Sequence, residues 1–164
     1  FMRKIKKTLA VVSAAVLTLT TGSTVVMAEK EEFIEVLKTT PLIALATAGE
    51  AGPNVRIMDF LFDEEAKTIY FPTSSRSHKV AELAANDTVA LTTIPMGPAP
   101  VVRIQGAKVS QSAKSMDDVR EALVSKRGGV AHLLDAFGET GVVYEIAVTG
   151  GVIIDKGKPS KVEL

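Results

Sequence analysis

The sequence predicts a mainly β fold, an antiparallel sheet or barrel that carries a few short helices. Six segments rich in apolar and β-branched residues follow one another at hairpin-like spacing, with turn residues between them. Helical patterns are inserted among these segments at defined points. The predicted strands cover residues 42–47, 54–62, 68–72, 88–94, 101–110 and 141–148, with a short extension at 151–155.

The predicted helices rest on apolar residues at helical spacing and on residues that begin or end helices. In the first helix, Phe33, Val36 and Leu37 share one face, and Pro41 stops the helix. Ser115 with an acidic residue three positions later has the pattern of a capping box. The four predicted helices cover residues 30–39, 77–85, 115–127 and 130–137.

Two strands have unusual features. Gly106 interrupts the fifth strand and predicts a β-bulge there. The second strand is apolar on both faces apart from Arg56 and Asp59, and one small barrel would not fully bury it. We therefore expect a homodimer in which this strand meets another copy of the chain. Val55, Ile57 and Leu61 are predicted to face one way, and Met58, Phe60 and Phe62 the other.

The composition excludes several classes of protein. The chain has 164 residues, of which 19 are basic and 19 acidic, and this balance argues against a nucleic-acid-binding protein. There is no cysteine, which excludes disulfide scaffolds, iron–sulfur clusters and cysteine nucleophiles. With His78 and His132 as the only histidines, and with the acidic residues 63–65 typical of a solvated turn, we predict no metal site.

Residues 1–28 have the three-part pattern of a secretory signal. Four basic residues are followed by an uncharged run from Thr8 to Ala28, apolar at its centre and more polar toward its end. Cleavage after Ala28 would leave residues 29–164 as one exported domain. The alternatives are an uncleaved anchor, which alone would place the protein at a membrane, and an ordinary helix packed on the domain.

The segment after the third strand predicts an anion site. A Ser/Thr-rich loop leads from Pro72 into a helix whose first turn holds Ser77, His78 and Lys79, with Arg56 available from a neighbouring strand. The first turn of a helix has unpaired backbone N–H groups and the positive end of the helix dipole. Hydroxyls, N–H groups and two fixed cations suit a phosphate monoester. The alternative is that the serines cap a helix and Lys79 lies on a solvated face.

The order and spacing of these residues resemble the pyridoxamine 5′-phosphate oxidase-like family of FMN-binding split barrels. The resemblance runs from about Phe33 to about Ile146, and Arg103 to Gly106 support it more weakly. It implies a six-stranded antiparallel split β-barrel with short helices, and a homodimer with FMN between the subunits. Its most specific parts are Arg56-Ile57-Met58 and the segment from Thr73 to Lys79.

The resemblance also implies a set of cofactor-binding residues. It implies that Arg56 and Lys79 grip the FMN phosphate, with help from Ser77 and His78 at the helix start. It further implies that the flavin ring and ribityl chain are lined by backbone near Ile57, Met58 and Asp59 and by Pro72 and Thr73.

The chain departs from true pyridoxamine phosphate oxidases at its C-terminal end. It has no tryptophan, and the residues after Ile154 lack the Trp- and Arg-containing segment of those enzymes. The resemblance therefore favours the general-stress and small flavin-reductase branches: an FMN-dependent oxidoreductase with a small, unknown substrate, and not a vitamin B6 oxidase. The alternatives are a flavin- or heme-binding protein without turnover, with His78 or His132 as a heme ligand, and a barrel that serves only as a dimer scaffold.

Overall fold

The computed structural model describes residues 22–164. These residues form an antiparallel β-structure with four α-helices and one short 3-10 helix, which follows α4 at Gly138–Thr140. In chain order the elements are α1 (22–39), β1 (Leu42–Gly49), β2 (Gly52–Asp59), β3 (Leu61–Asp63), β4 (Thr68–Ser74), α2 (His78–Ala85), β5 (Thr88–Ile94), β6 (Val101–Gln111), α3 (Met116–Lys126), α4 (Val130–Phe137), β7 (Gly141–Ala147), β8 (Gly150–Asp155) and β9 (Lys158–Glu163).

The sheet curls into a barrel because its two ends belong to one stretch of chain. The strand order is β2-β1-β5-β6-β7-β4-β3, and all the pairings are antiparallel. The end strands β2 and β3 are separated in sequence by Phe60 alone. We call β2-β1-β5-β6-β8-β9 the front sheet and β6-β7-β4-β3 the back sheet; β6 belongs to both.

The predicted bulge in β6 is confirmed. Val89 pairs with Ala107 but Leu91 pairs with Ile104, so β6 carries one extra residue between these pairs. Gly106 lies in this interval with φ of +66°, in the left-handed region that glycine adopts most readily. The bulge bends β6 where it passes from the front sheet to the back sheet.

Two apolar clusters hold the domain together. The main core fills the barrel and includes Phe33 of α1, Phe60 at the strand break and Leu83 of α2. A smaller cluster lies on the outward side of the back sheet, where α3 and α4 cover Tyr70 and Val143. The buried apolar residues of the four helices therefore lie in the barrel or on the back sheet.

The outward side of the front sheet is left uncovered by the described helices. Val55 and Ile57 of β2 are each 65% exposed. Paired residues of neighbouring antiparallel strands share a face. The surface that we call the open face therefore comprises Val55, Ile57, Ala44, Ala46, Thr92, Arg103, Val152 and Lys161.

The mainly β fold is confirmed, and the details differ from the expectation in three places. The second predicted strand is divided at Phe60 into β2 and β3, and the predicted extension after residue 150 is a full hairpin, β8–β9. Leu61 was predicted to share a face with Val55 and Ile57, but it packs against the cluster under α3 and α4, whereas Val55 and Ile57 are exposed. His132 lies on the exposed side of α4.

The first helix extends further toward the N-terminus than predicted. Residues 22–39 are helical without a break across the Ala28–Glu29 bond, and residues 22–28 are exposed. The basic and apolar parts of the predicted signal, residues 1–21, lie outside the described residues, and cleavage after Ala28 stays a prediction. In residues 22–164, no helix is both long and apolar enough to cross a membrane.

Lys126 joins three elements at the place where the barrel closes. Its Nζ donates to the backbone oxygens of Leu37, near the end of α1, at 3.0 Å and of Phe60 at 3.3 Å. The same ammonium group lies 3.8 Å from the centre of the Phe60 ring. Burial lowers the pKa of Lys126 from 10.5 to about 8.

Replacing Lys126 by Met should remove a pH dependence of stability. The unfolded chain holds this proton up to a pH near 10.5 and the folded chain only to about 8, so the unfolded chain binds more protons between these values. The free energy of unfolding should therefore rise with pH from about 8 to about 10.5, and less steeply in Lys126→Met. Urea unfolding across this range measures the slope. Lys158→Met, at an exposed lysine, serves as control; equal slopes in all three proteins would contradict the prediction.

Candidate functional site

The side chain of Arg56 points from β2 toward α2 at the mouth of the barrel. Arg56 pairs with Leu45 of β1, which places it on the inward side of the front sheet. Its Nη1 donates to Glu82 Oε2 at 2.8 Å and to Thr47 Oγ1 at 2.9 Å. Within residues 22–164, neither Nε nor Nη2 has a hydrogen-bond acceptor. The guanidinium is thus fixed by one nitrogen and can donate further hydrogen bonds from the others.

Glu82 of α2 is the anionic centre of this network. Besides Arg56, it accepts from Thr47 Oγ1 at 2.5 Å and from Asn54 Nδ2 at 3.2 Å. The hydrogen bonds from Arg56 and then from Thr47 lower the pKa of Glu82 to about 2. The carboxylate is therefore charged at any physiological pH, and it orients Arg56. Glu82 was not among the predicted site residues, although its position four residues after His78 on the same helix was a possible signal.

Lys79 is the second cation of the site and is held by two hydroxyl groups. Its Nζ donates to Thr73 Oγ1 at 2.7 Å and to Ser77 Oγ at 2.9 Å. Burial, and then the charge of Arg56, lower the pKa of Lys79 below its usual value, while Glu82 opposes the shift. The structure thus places Arg56, Thr73, Ser77 and Lys79 in one neighbourhood, as the sequence predicted.

The first turn of α2 keeps its backbone donors free of side-chain caps. Ser77 is the N-cap residue, but its hydroxyl makes no capping hydrogen bond and instead accepts from Lys79. The backbone N–H groups of His78 and Lys79 find no acceptor in the part of the chain that the structure describes. Such groups favour an anion, both as donors and through the helix dipole. The alternative, in which the Ser77 side chain caps the helix, is therefore wrong.

The remaining predicted residues divide into two groups. Pro72 is buried in β4, and Met58 packs against the main core, so their side chains are structural. Ile57 lies on the open face, and His78 is exposed in the first turn of α2. His78 also lines a cleft of about 490 Å³ between α2 and the β1–β2 turn.

The side chain of Asp59 has a structural partner. Its carboxylate is 7% exposed and receives two hydrogen bonds from Arg127, from Nε at 2.5 Å and from Nη2 at 2.7 Å. This bidentate pair ties the end of β2 to the residue that ends α3. Asp59 can therefore contribute its backbone to a ligand site, whereas its carboxylate is already engaged.

A second, larger cleft lies on the open face, away from α2. Its volume is about 770 Å³, and its wall is formed by β6 and the β8–β9 hairpin. Arg103 and Gln105 of β6 line it, together with Lys161 of β9. Arg103 belongs to the weaker part of the family resemblance, which implies no role for it.

Comparison with known proteins places this chain in a family. A family model described as pyridoxamine 5′-phosphate oxidase-like matches residues 36–159, which is most of the chain. The protein therefore belongs to the pyridoxamine 5′-phosphate oxidase-like family. No curated protein sequence is similar enough to count as a match.

Several solved structures share the fold at low sequence identity. The general stress protein 26 from Bacillus anthracis str. Sterne is 17% identical, with a TM-score of 0.63 over 82% of this chain and 98% of that one. An F420 reductase is 20% identical, with a TM-score of 0.59 over 69% of this chain and 90% of that one. A heme-binding protein from Mycobacterium smegmatis is 14% identical, with a TM-score of 0.62 over 83% of this chain and 57% of that one. At these identities the likeness concerns the fold.

Replacing Arg127 by Ala should destabilise the domain by leaving the buried Asp59 carboxylate unpaired. Removing one partner of a fully buried pair costs about 3–5 kcal/mol, and because Arg127 is 38% exposed we expect about 1–3 kcal/mol. Arg120→Ala removes an exposed pair with Asp135 and should cost about 0–1 kcal/mol. Urea unfolding of the two variants measures the difference; equal losses of stability would contradict the assignment.

Proposed function

We propose that this protein is an FMN-binding oxidoreductase that acts as a homodimer on a small molecule. The observation that carries the proposal is the group of donors around α2 that still have unused N–H groups. Two backbone N–H groups of the helix start, the guanidinium of Arg56 and the ammonium of Lys79 converge there. Membership in the family and the family's fold support the same assignment.

The residues present fit a phosphate monoester. Such a group carries a charge of about −1.5 to −2 at neutral pH and accepts several hydrogen bonds. Arg56 and Lys79 supply the fixed charges, His78 and Lys79 supply backbone N–H groups, and Ser77 can donate from its hydroxyl. Thr73 holds the Lys79 ammonium in place from β4.

The rest of the cofactor would extend along the strands that leave this site. The backbone of Ile57, Met58 and Asp59 continues β2, and Pro72 and Thr73 end β4 close by. A bound flavin supplies the hydride or electron transfer, and the protein supplies binding and orientation. Because the chain lacks tryptophan, we do not propose oxidation of pyridoxamine phosphate.

The open face supports the homodimer. It is a flat, largely apolar side of the front sheet, with Val55 and Ile57 exposed and small residues such as Ala44 and Ala46 beside them. A second copy packed on this face by two-fold symmetry would bury these residues without a change in the fold of either subunit. β2 would then carry Arg56 on one side and the dimer contact on the other.

Heme binding is the second candidate, because a heme-binding protein shares the fold. His78 and His132 are both exposed and could each reach an iron atom. His78 lines the cleft between α2 and the β1–β2 turn, so it is the better placed of the two. The absorption spectrum of the purified protein separates flavin, heme and an empty scaffold.

Replacing Lys79 by Ala should weaken FMN binding selectively. A charge-assisted hydrogen bond contributes about 1.5–3 kcal/mol, so the dissociation constant for FMN should rise about 10- to 100-fold. Arg56→Lys should also weaken FMN binding, because a point charge does not replace a planar guanidinium held by Glu82. Fluorescence titration of cofactor-free protein with FMN and with riboflavin measures both effects.

Riboflavin is the matched ligand control, and Lys158→Ala is the matched variant. Riboflavin lacks the phosphate, so its affinity should hardly change in either site variant, and Lys158→Ala should bind both ligands normally. An equal loss for FMN and riboflavin in Lys79→Ala would refute the phosphate assignment. Failure of the unmodified protein to bind either flavin would refute the flavin proposal itself.

Replacing Ile57 by Glu should break the proposed dimer. A carboxylate in the centre of an apolar contact would be left without a partner, and we expect dimerisation to weaken about tenfold or more. Ile57 is 65% exposed in the single chain, so the fold itself should tolerate the change. Light scattering across a concentration series measures the association. Met96→Glu, at an exposed loop residue outside the open face, is the control and should remain dimeric; a monomeric unmodified protein would overturn the proposal.

A further inference from the structure

Arg103 is a cation in the middle of the open face. The strand register forms one row across the front sheet, in which Arg103 has Thr92 on one side and Val152 on the other. Following the row through Ala44 leads to Ile57 of β2. Arg103 therefore lies on the same surface as the exposed residues through which a second copy is proposed to pack.

Arg103 has no counter-ion among residues 22–164, whereas the other charges nearby are paired. Lys161, which lies farther along the same row, pairs with Glu163 at 2.9 Å. Asp59, at the end of β2, is engaged by Arg127. The face therefore carries one positive charge that no described acidic side chain compensates.

Packing a second copy on this face makes the lone charge costly. A guanidinium that is removed from water without an anionic partner loses several kcal/mol of hydration. The cost disappears when an anion pairs with it in a bidentate manner, as a carboxylate or phosphate does. A binding surface that retains such a cation at its centre therefore indicates an anionic ligand.

The cleft beside Arg103 offers room for such a ligand. It measures about 770 Å³, in the range of small-molecule sites, and Gln105 and Thr149 add polar groups to its lining. Glu163 also lines the cleft, and its charge is balanced by Lys161. Its wall is rigid because the β8–β9 hairpin packs closely on β6. A Cβ at Gly150 would lie 2.3 Å from the Val162 oxygen, and one at Gly151 would lie 2.5 Å from the Arg103 oxygen.

We propose that this cleft is the substrate site and that Arg103 binds a carboxylate or phosphate group of the substrate. This inference rests on the proposed function, since it assigns the substrate class of the same flavoprotein. The phosphate of the cofactor lies at α2, on the inward side of β2, so Arg103 remains available for a second anion. Gln105 orients the polar part of the substrate, and the apolar face provides the contact for its carbon skeleton.

The proposal is tested with three probes of similar shape: benzoate, phenyl phosphate and neutral benzamide. Each is titrated into the flavin-loaded protein, and the flavin absorbance and the amide NMR signals of β6 report binding. Benzoate or phenyl phosphate should bind the unmodified protein, and Arg103→Gln should weaken that binding about tenfold or more. Preference for one of the two anions identifies the acidic group. Benzamide should bind weakly and equally to both proteins.

Two controls separate this inference from the proposed function. Arg120→Gln, at a cation on α3, should bind all probes like the unmodified protein. FMN affinity should be unchanged in Arg103→Gln, and the dimer should be at least as stable because the lone charge is gone; weaker FMN binding or a weaker dimer would overturn the proposal by assigning Arg103 to the cofactor or to the interface. Failure of both anions to bind would overturn it as well. If the protein binds no flavin, the NMR titration of the flavin-free chain still decides whether the anions bind at Arg103.

Discussion

The architecture of this protein depends on the bend at Phe60. A single stretch of chain supplies β2 at one end of the sheet and β3 at the other, so closing the barrel requires this residue to turn inward. Phe60 is fully buried, and the Lys126 ammonium covers its ring. Next to it, Asp59 is fixed by Arg127. These contacts set the rotation of β2 and hence which of its side chains face the barrel.

The rotation of β2 determines both functional surfaces. Alternation along a strand sends Arg56 inward to Glu82 and sends Val55 and Ile57 outward to the open face. The cofactor site and the subunit contact that we propose therefore lie on opposite faces of the same strand. A change at Phe60 would disturb both, even though the buried Phe60 side chain belongs to neither surface.

Local patterns in the sequence were sufficient for most of the fold. The capping box at Ser115, the bulge at Gly106 and the helix from His78 each follow from chemistry within a few residues. The break at Phe60 was not predictable, because the apolar run through it is uninterrupted and the reason for the turn is barrel closure. The β8–β9 hairpin was only partly predicted, since the polar residues of β9 alternate around a buried Val162.

The cations of the candidate site could be predicted from the sequence, but its anion, Glu82, could not. Arg56, Ser77 and Lys79 were found from their residue types and their order along the chain. The role of Glu82 depends on a contact between α2 and β1–β2, across tens of residues, which no local pattern reveals. The importance of Arg103 likewise appears only when the strand register places it in a row with Ile57.

The lowered pKa of Lys126 also makes this residue a chemical reporter. An amine that loses its proton at mildly alkaline pH is a better nucleophile than ordinary lysines, but here it is shielded by α1, α3 and the Phe60 ring. Because the Lys126 side chain is partly buried, acylating reagents gain fuller access to it when the ends of these helices separate from the barrel. The rate at which Lys126 becomes labelled would therefore increase with the openings of the barrel seam, a local motion that global unfolding experiments average away.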